Sequence, residues 1–452
     1  MTPVPSEFKK YVPSVDVYDS LELVTRHMPI EQPPATVSYI IFGKGSKTYA
    51  KNGVYGHVEY EDEDAATVIQ NVMDSITEGT VLIKAGTYTV TESIILKSYV
   101  RLVGEGWKTV LKPAAGMNSP VITTSNSVDN KYIQISNLTI NGSGVSGLGE
   151  SNHGIVLYRP WMVEVFKVAI REIGGTGIQL QTTPSEEIHM NWIVNNYIDW
   201  VGGHGIYISG VSDSLIAHNE IGRCGQPDWP TRTFTGKCGI YLYYASTTKI
   251  LGNHVHQSGG ENILAEESDN VVIENNVSEE ASRHNIGIGG SDQCIIKGNL
   301  LRNCNLANVE GHHIQLYNAS YNLIIGNKML DNQDVKTSVY AVNEMGTSDY
   351  NEIRLNDVRN NPYTINVVGA NTIVKHNPGY PTEKGGTATI PAGSTTVTVN
   401  HGLVTTPSEV LVTPIGDPGA RFWVANITDS SFDIVVASAP ATDIDFYWYA
   451  EV

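Results

Sequence analysis

Charge is scarce in this chain, and positive charge is scarcest. Only 17% of its 452 residues are charged, and 29 Lys and Arg stand against 47 Asp and Glu, a formal net charge of −18. A nucleic-acid partner is not expected, because phosphate binding needs a basic face. A strongly anionic polymer is disfavoured on the same ground, unless cations gather locally. Cysteine is rare as well. Cys224, Cys238, Cys294 and Cys304 make no CxxC, and no Cys/His spacing resembles a zinc site. Cys224 and Cys238 bracket a loop that a disulfide could close, but small apolar residues inside the fold is the favoured reading. No Gly-Gly-x-Gly-x-Asp calcium run occurs, so neither metal nor cofactor is expected. No apolar run is long enough to cross a membrane. Met1 to Ser20 carry no apolar run and no cleavage-site pattern, which predicts no secretory signal.

What the chain does have is repetition. Between Gly202 and Gly379 short β-branched segments run into a recurring Asn: Asn219, Asn253, Asn275, Asn299, Asn327, Asn356 and Asn377, spaced 21 to 34 residues apart. A second segment type alternates with them, as in Gly205-Ile206-Tyr207-Ile208, Gly239-Ile240-Tyr241-Leu242 and Asn285-Ile286-Gly287-Ile288. A period in the twenties without helical patterning predicts a solenoid of strands. Each turn cannot bury its apolar face alone, so turns stack and share one core.

Taken in order, residues 1–60 read as an extended, Pro- and Tyr-bearing attachment segment with hairpins, including a turn near Lys51-Asn52-Gly53. Residues 61–379 read as the solenoid. It opens on a helix over 64–78, with Ala65, Val68, Ile69, Val72, Met73 and Ile76 on one face, Asp64 as N-cap and Gly79 as stop. That helix is expected to cover the open end of the first coil. After Gly379 the pattern becomes six short alternating strands over 380–452, which predicts a small antiparallel β-sandwich.

The helix, then Ile83-Lys84-Ala85-Gly86-Thr87-Tyr88, then Leu102-Val103-Gly104-Glu105-Gly106, resembles the start of pectate-lyase-like right-handed parallel β-helix proteins. The likeness runs from Asp64 to Gly379. It implies an all-β right-handed parallel β-helix capped by the N-terminal helix, and leaves the reaction open, since lyases, hydrolases, epimerases and adhesins share the fold. Ile390-Pro391-Ala392-Gly393, Val399-Asn400-His401-Gly402-Leu403 and Trp423-Val424-Ala425-Asn426-Ile427 resemble C-terminal modules of phage tail fibres and tail spikes, which implies trimerisation or glycan contact.

In the Gly-Ile-x-Leu strands Ile and Leu point inward, so alternation turns the residues between them outward. Those residues are Gln179, Gln181, Tyr207, Ser209, Tyr241, Tyr243, Leu264, Glu266, Gly287, Gly289, Gln315 and Tyr317. Tyr207, Tyr241, Tyr243 and Tyr317 suit sugar rings and Gln315 suits hydroxyls, a candidate glycan groove; a subunit interface fits the same face. His284 belongs to a column just before the strands, with His153, His204 and His312, whose simplest role is turn capping. Gly203-His204-Gly205 resembles the Gly-His-Gly of polygalacturonase-type glycosidases but has no companion Asp pair. The 34-residue step from Asn219 to Asn253 places an insertion at 225–234, where Asp228, Trp229 and Arg232 are candidate binding or catalytic residues. Glycoside hydrolysis needs two carboxyl groups. Glu266 is the first candidate, with Glu261, Glu267 or Asp228 as partner. A lyase would need a cation and a base, for which Arg283, His284 and Tyr243 are available.

Together with the resemblance, these residues lead to the expectation of a virion tail-spike-like homotrimer, attached through its N-terminus, that binds and hydrolyses a host surface polysaccharide. A non-catalytic adhesin, or a lyase or epimerase of the same fold, is the alternative.

Overall fold

The computed structural model describes residues 37–144, 146–182, 189–226 and 233–452. One turn shows the architecture. Leu215–Ala217, Glu220–Gly222 and Ile240–Tyr243 follow one another around the coil, and Lys249–Leu251 then pairs in parallel with Leu215–Ala217. Stacking turns makes one sheet of 15 strands and two of 11. In coil order they are called the first, second and third sheets. The three-residue strands bury their middle side chain: Ile216, Ile221, Ile250, Val255 and Ile273 are fully enclosed. Burying one such side chain contributes about 1.5–3 kcal/mol, while ordering each backbone residue costs about 1–2 kcal/mol. No single coil is stable by that comparison, and the core accordingly runs unbroken from Tyr39 to Ile365.

The corner between the first and second sheets is a two-residue device. Its first residue is left-handed: His218 (φ 55°), Gly252 (62°), Asn275 (56°), Gly298 (65°), Leu355 (57°) and His376 (57°) all occupy it. Its second residue is a buried Asn whose Nδ2 donates to Oδ1 of the equivalent Asn one coil on, at 2.9–3.0 Å, from Asn196 through Asn219, Asn253, Asn276, Asn299, Asn327 and Asn356 to Asn377. The repeat spacing puts Asn275 in this row, and the structure corrects that: Asn276 occupies it, and Asn275 is the exposed left-handed residue before it. Asn is among the few residues that tolerate that backbone, so two adjacent Asn suit the two positions equally well by type.

The helix runs Ala65–Ser75, shorter than the expected 64–78. Asp64 caps it, accepting from the Thr67 backbone N and Oγ1 at 3.0 Å. Gly79 does not stop the helix. It starts the strand Gly79–Ile83, where a Cβ would lie 2.1 Å from Ser38 Oγ, so close strand approach explains the glycine. Ala65, Ala66, Val68, Ile69, Val72 and Met73 are buried against the start of the coil. The strands Tyr39–Lys44, Lys47–Asn52 and Val58–Asp62 extend the first sheet, with Tyr39–Lys44 pairing parallel to Gly79–Ile83. At the other end two three-stranded antiparallel sheets, within 383–451, close on Ile390, Phe432, Ile434 and Phe446. All four cysteines are free and buried. Among the described residues no helix is long and apolar enough to cross a membrane.

Candidate functional site

The outer face of the third sheet carries an aromatic strip. Register places Tyr207 beside Tyr241 and Tyr243 beside Glu266. The Tyr207 and Tyr241 rings stack at 5.1 Å, His204 lies 5.2 Å from Tyr241, Tyr241 lies 6.2 Å from Tyr243, and Tyr244 meets Tyr243 edge-on at 4.5 Å. Strand spacing fixes this stacking, since neighbouring coils are about 4.8 Å apart.

Two carboxyl groups border the strip. Glu266 accepts a 2.5 Å hydrogen bond from Tyr241 Oη. Burial, and then the neighbouring carboxylate, push the Tyr241 phenol far up, so it stays protonated and donating. A Cβ on Gly289 would lie 3.3 Å from Glu266 Cγ, and one on Gly287 would lie 3.6 Å from Glu261 Cγ. The two glycines therefore open the face next to both acids. Glu261 is only 5% exposed. Burial raises its pKa and the Arg283 guanidinium, 3.2 Å from Oε1, offsets part of that rise. Arg283 also sits 5.9 Å from the Phe234 ring, on the described end of the insertion. The insertion thus reaches the Glu261 side of the strip.

The remaining candidates are dispersed. Gln315 is buried, its amide donating to the carbonyls of Leu316 and Asn343, and Tyr317 is exposed two residues on. Asp228, Trp229 and Arg232 lie outside the described residues. His284 is 3% exposed and stacks on His312 at 5.2 Å. Its Nδ1 accepts the His312 backbone N–H at 2.9 Å. His153 and His204 accept the N–H of Thr176 and Cys238 in the same way, and His312 that of Tyr340. The column joins coils by capping their backbone. Tyr244 and Phe234 are additions to the candidate set; Tyr244 follows Tyr243 directly in the sequence, and Phe234 ends the insertion.

Burial holds the His312 and His313 imidazoles down to about 4, and His284 well below its ordinary value. Unfolded imidazoles take up protons near pH 6.5. The stability these groups carry is therefore complete above about pH 6.5 and is lost as pH falls toward 4, by up to about 3 kcal/mol each for His312 and His313. Denaturant unfolding between pH 7 and 4.5 is expected to show this decline, and His312→Gln to flatten it by about 1.4 kcal/mol per pH unit. An unchanged slope in the variant would remove His312 from the account.

Two open grooves lie apart from the strip. One, about 620 Å³, is bordered by Tyr99, Arg101 and Tyr132; the other, about 480 Å³, by Trp107, Arg171 and Tyr197. Neither contains a carboxylate pair.

A model of the right-handed β-helix region matches residues 153–302 and 238–401, together more than half of the chain. No curated protein sequence matches. Among solved structures the A-module of the Azotobacter vinelandii mannuronan C-5 epimerase AlgE6 is 17% identical, with a TM-score of 0.56 over 70% of this chain and 96% of its own. The enzymatically active domain of tailspike protein 2 of bacteriophage CBA120 is 12% identical, with a TM-score of 0.52 over 86% of this chain and 71% of its own. A variant of the DFA-IIIase of Arthrobacter chlorophenolicus A6, solved with DFA-III, is 13% identical, with a TM-score of 0.52 over 69% of this chain and 95% of its own. At these identities the likeness is one of fold. The matched region and the three stacked sheets agree: this chain belongs to the right-handed β-helix family.

Proposed function

We propose that the protein is a phage tail-spike-like depolymerase that binds a host surface polysaccharide along the strip and hydrolyses it. The observation that carries this reading is the pairing of two unlike carboxyl groups beside stacked tyrosines. Glu261, whose carboxyl pKa burial raises, is the general acid. Glu266, held by the Tyr241 hydroxyl, is the base or nucleophile. Their side chains lie beside Gly287 and Gly289, two residues apart on one strand, a step of about 6.6 Å, so both acids border one stretch of the face. Tyr207, Tyr241 and Tyr243 hold sugar rings, and Asp228, Trp229 and Arg232 of the insertion are proposed to wall the cleft. Tyr317 extends the bed. Gln315 and His284 act through the packing beneath it, because their polar atoms are already engaged.

Hydrolysis is favoured over elimination because the available bases are poor. The Tyr241 phenol is held protonated, and His284 is buried with Nδ1 occupied. The tail-spike assignment rests on the C-terminal module and on a neighbour that is a bacteriophage tailspike domain. A homotrimer is supported by the exposed Leu411, Tyr447 and Tyr449 on one face of that module. Residues 1–60 are the proposed link to the virion. One observation favours a non-catalytic adhesin instead: Glu261 is enclosed and already paired with Arg283.

Incubation with purified host surface polysaccharide separates these readings. New reducing ends without ultraviolet absorbance from unsaturated uronates are expected. Absorbance growing with the reducing ends would replace hydrolysis by elimination, and tight binding with neither signal would leave the adhesin.

A further inference from the structure

On the second sheet, away from the tyrosine strip, His254–His256 places Val255 in the core and turns both imidazoles outward. Register sets Glu220 beside His254 on the preceding strand, and Glu279 beside His256 on the following one. Both rings converge on one carboxylate: His254 Nδ1 is 3.0 Å from Glu220 Oε2, and His256 Nε2 is 3.0 Å from Glu220 Oε1. The ligand atoms of the three residues lie within 4.8 Å of one another, and all three side chains are open to solvent in part. Gly222 makes this possible. A Cβ there would sit 2.4 Å from His256 Cε1 and 2.7 Å from Nε2, so any other residue would push the ring off Glu220.

We infer that Glu220, His254 and His256 form a binding site for a divalent transition-metal ion, zinc best matching the donors. Two borderline imidazole nitrogens with one harder carboxylate oxygen are a donor set that zinc takes, and three protein ligands leave one tetrahedral position for water. The surroundings fit as well. The far nitrogen of His254, Nε2, lies 3.0 Å from Glu279 Oε1, and Glu279 is held in turn by Arg302. A carboxylate orienting a ligand imidazole through its other nitrogen is the usual second layer of such sites. A neutral imidazole has a single N–H and can donate to only one carboxylate, yet His254 faces one on each side. An ion at Nδ1 satisfies that side and leaves the proton on Nε2 for Glu279. The site ties two coils together beside the strand Glu220–Gly222, which leads toward the 225–234 insertion. It is independent of the polysaccharide reading, since it shares no residue with the strip.

The test uses the full chain, freed of metal by a chelator and titrated with zinc by calorimetry and with cobalt by visible spectroscopy. One zinc equivalent and intense tetrahedral cobalt bands are expected, with affinity falling as pH drops because the imidazoles must be unprotonated. Glu220→Gln, which keeps the shape of the side chain, is expected to weaken zinc at least tenfold. His254→Gln/His256→Gln is expected to abolish the cobalt bands while circular dichroism stays unchanged. Equal zinc affinity in the wild type and the folded double variant, or cobalt bands that persist in it, would overturn the site.

Discussion

Glu266→Gln is expected to lower polysaccharide cleavage about a thousandfold, the scale of a lost acid–base or nucleophilic group, while leaving the fold and substrate binding in place. The substitution keeps the volume of the side chain and an oxygen to accept from Tyr241 Oη. It removes the ability to take a proton or attack a sugar carbon. Unfolding free energy should move by less than about 0.5 kcal/mol, because the group is only partly buried. Tyr241→Phe serves as the companion. It removes the donor and leaves the acid, so the expected loss is smaller, about tenfold, being only the share of that hydrogen bond gained in the transition state. Reducing-end assays on both variants check the pair. Full activity in Glu266→Gln would take the residue out of the chemistry, and equal damage in both would point to disturbed packing.

Asn276→Ala is expected to destabilise the protein by about 3–5 kcal/mol, against almost nothing for Asn275→Gly. Asn276 Oδ1 accepts from Asn253 N at 2.8 Å and Nδ2 at 3.0 Å, and its Nδ2 donates to Ile250 O at 2.9 Å and Asn299 Oδ1 at 3.0 Å. Alanine leaves the Asn253 N–H, the Asn253 amide and the Ile250 carbonyl buried without those partners, at about 1–3 kcal/mol each. Asn275 is exposed with φ 56°, where glycine is more at ease than any side chain. Chemical denaturation of the two single variants decides which asparagine belongs to the row. Equal losses would mean that the row bears little of the stability.

The fold was legible because it repeats. Inward Ile and Val at fixed offsets, Gly before Ile, and Asn at each corner are periodic signals, and period is what a sequence displays best. Asn275 shows the limit, for one residue of register separates an exposed turn from a buried row. The site was legible only as faces. Alternation placed Tyr207, Tyr241, Tyr243 and Glu266 outward, and register then brought them together. What alternation cannot reveal is how far a side chain sinks beside the strand, and so Gln315, expected to face outward, lies buried. Glu220, His254 and His256 went unseen for another reason. Their convergence crosses 34 residues of chain, and only the outward His-x-His pair on one strand hinted at it.

The asparagine row also bears on how the protein ages. Spontaneous deamidation begins when the backbone nitrogen after an Asn turns and attacks its side-chain amide carbon. Here those nitrogens are occupied: His254 N donates to Asn219 O, Val277 N to Asn253 O, Leu300 N to Asn276 O and Lys328 N to Asn299 O, each at 2.9 Å. With both the attacking nitrogen and the amide pinned, the residues richest in this chemical weakness are the ones least able to express it. On long standing the protein would then keep its coil sound, and accumulate such damage first in asparagines outside the row.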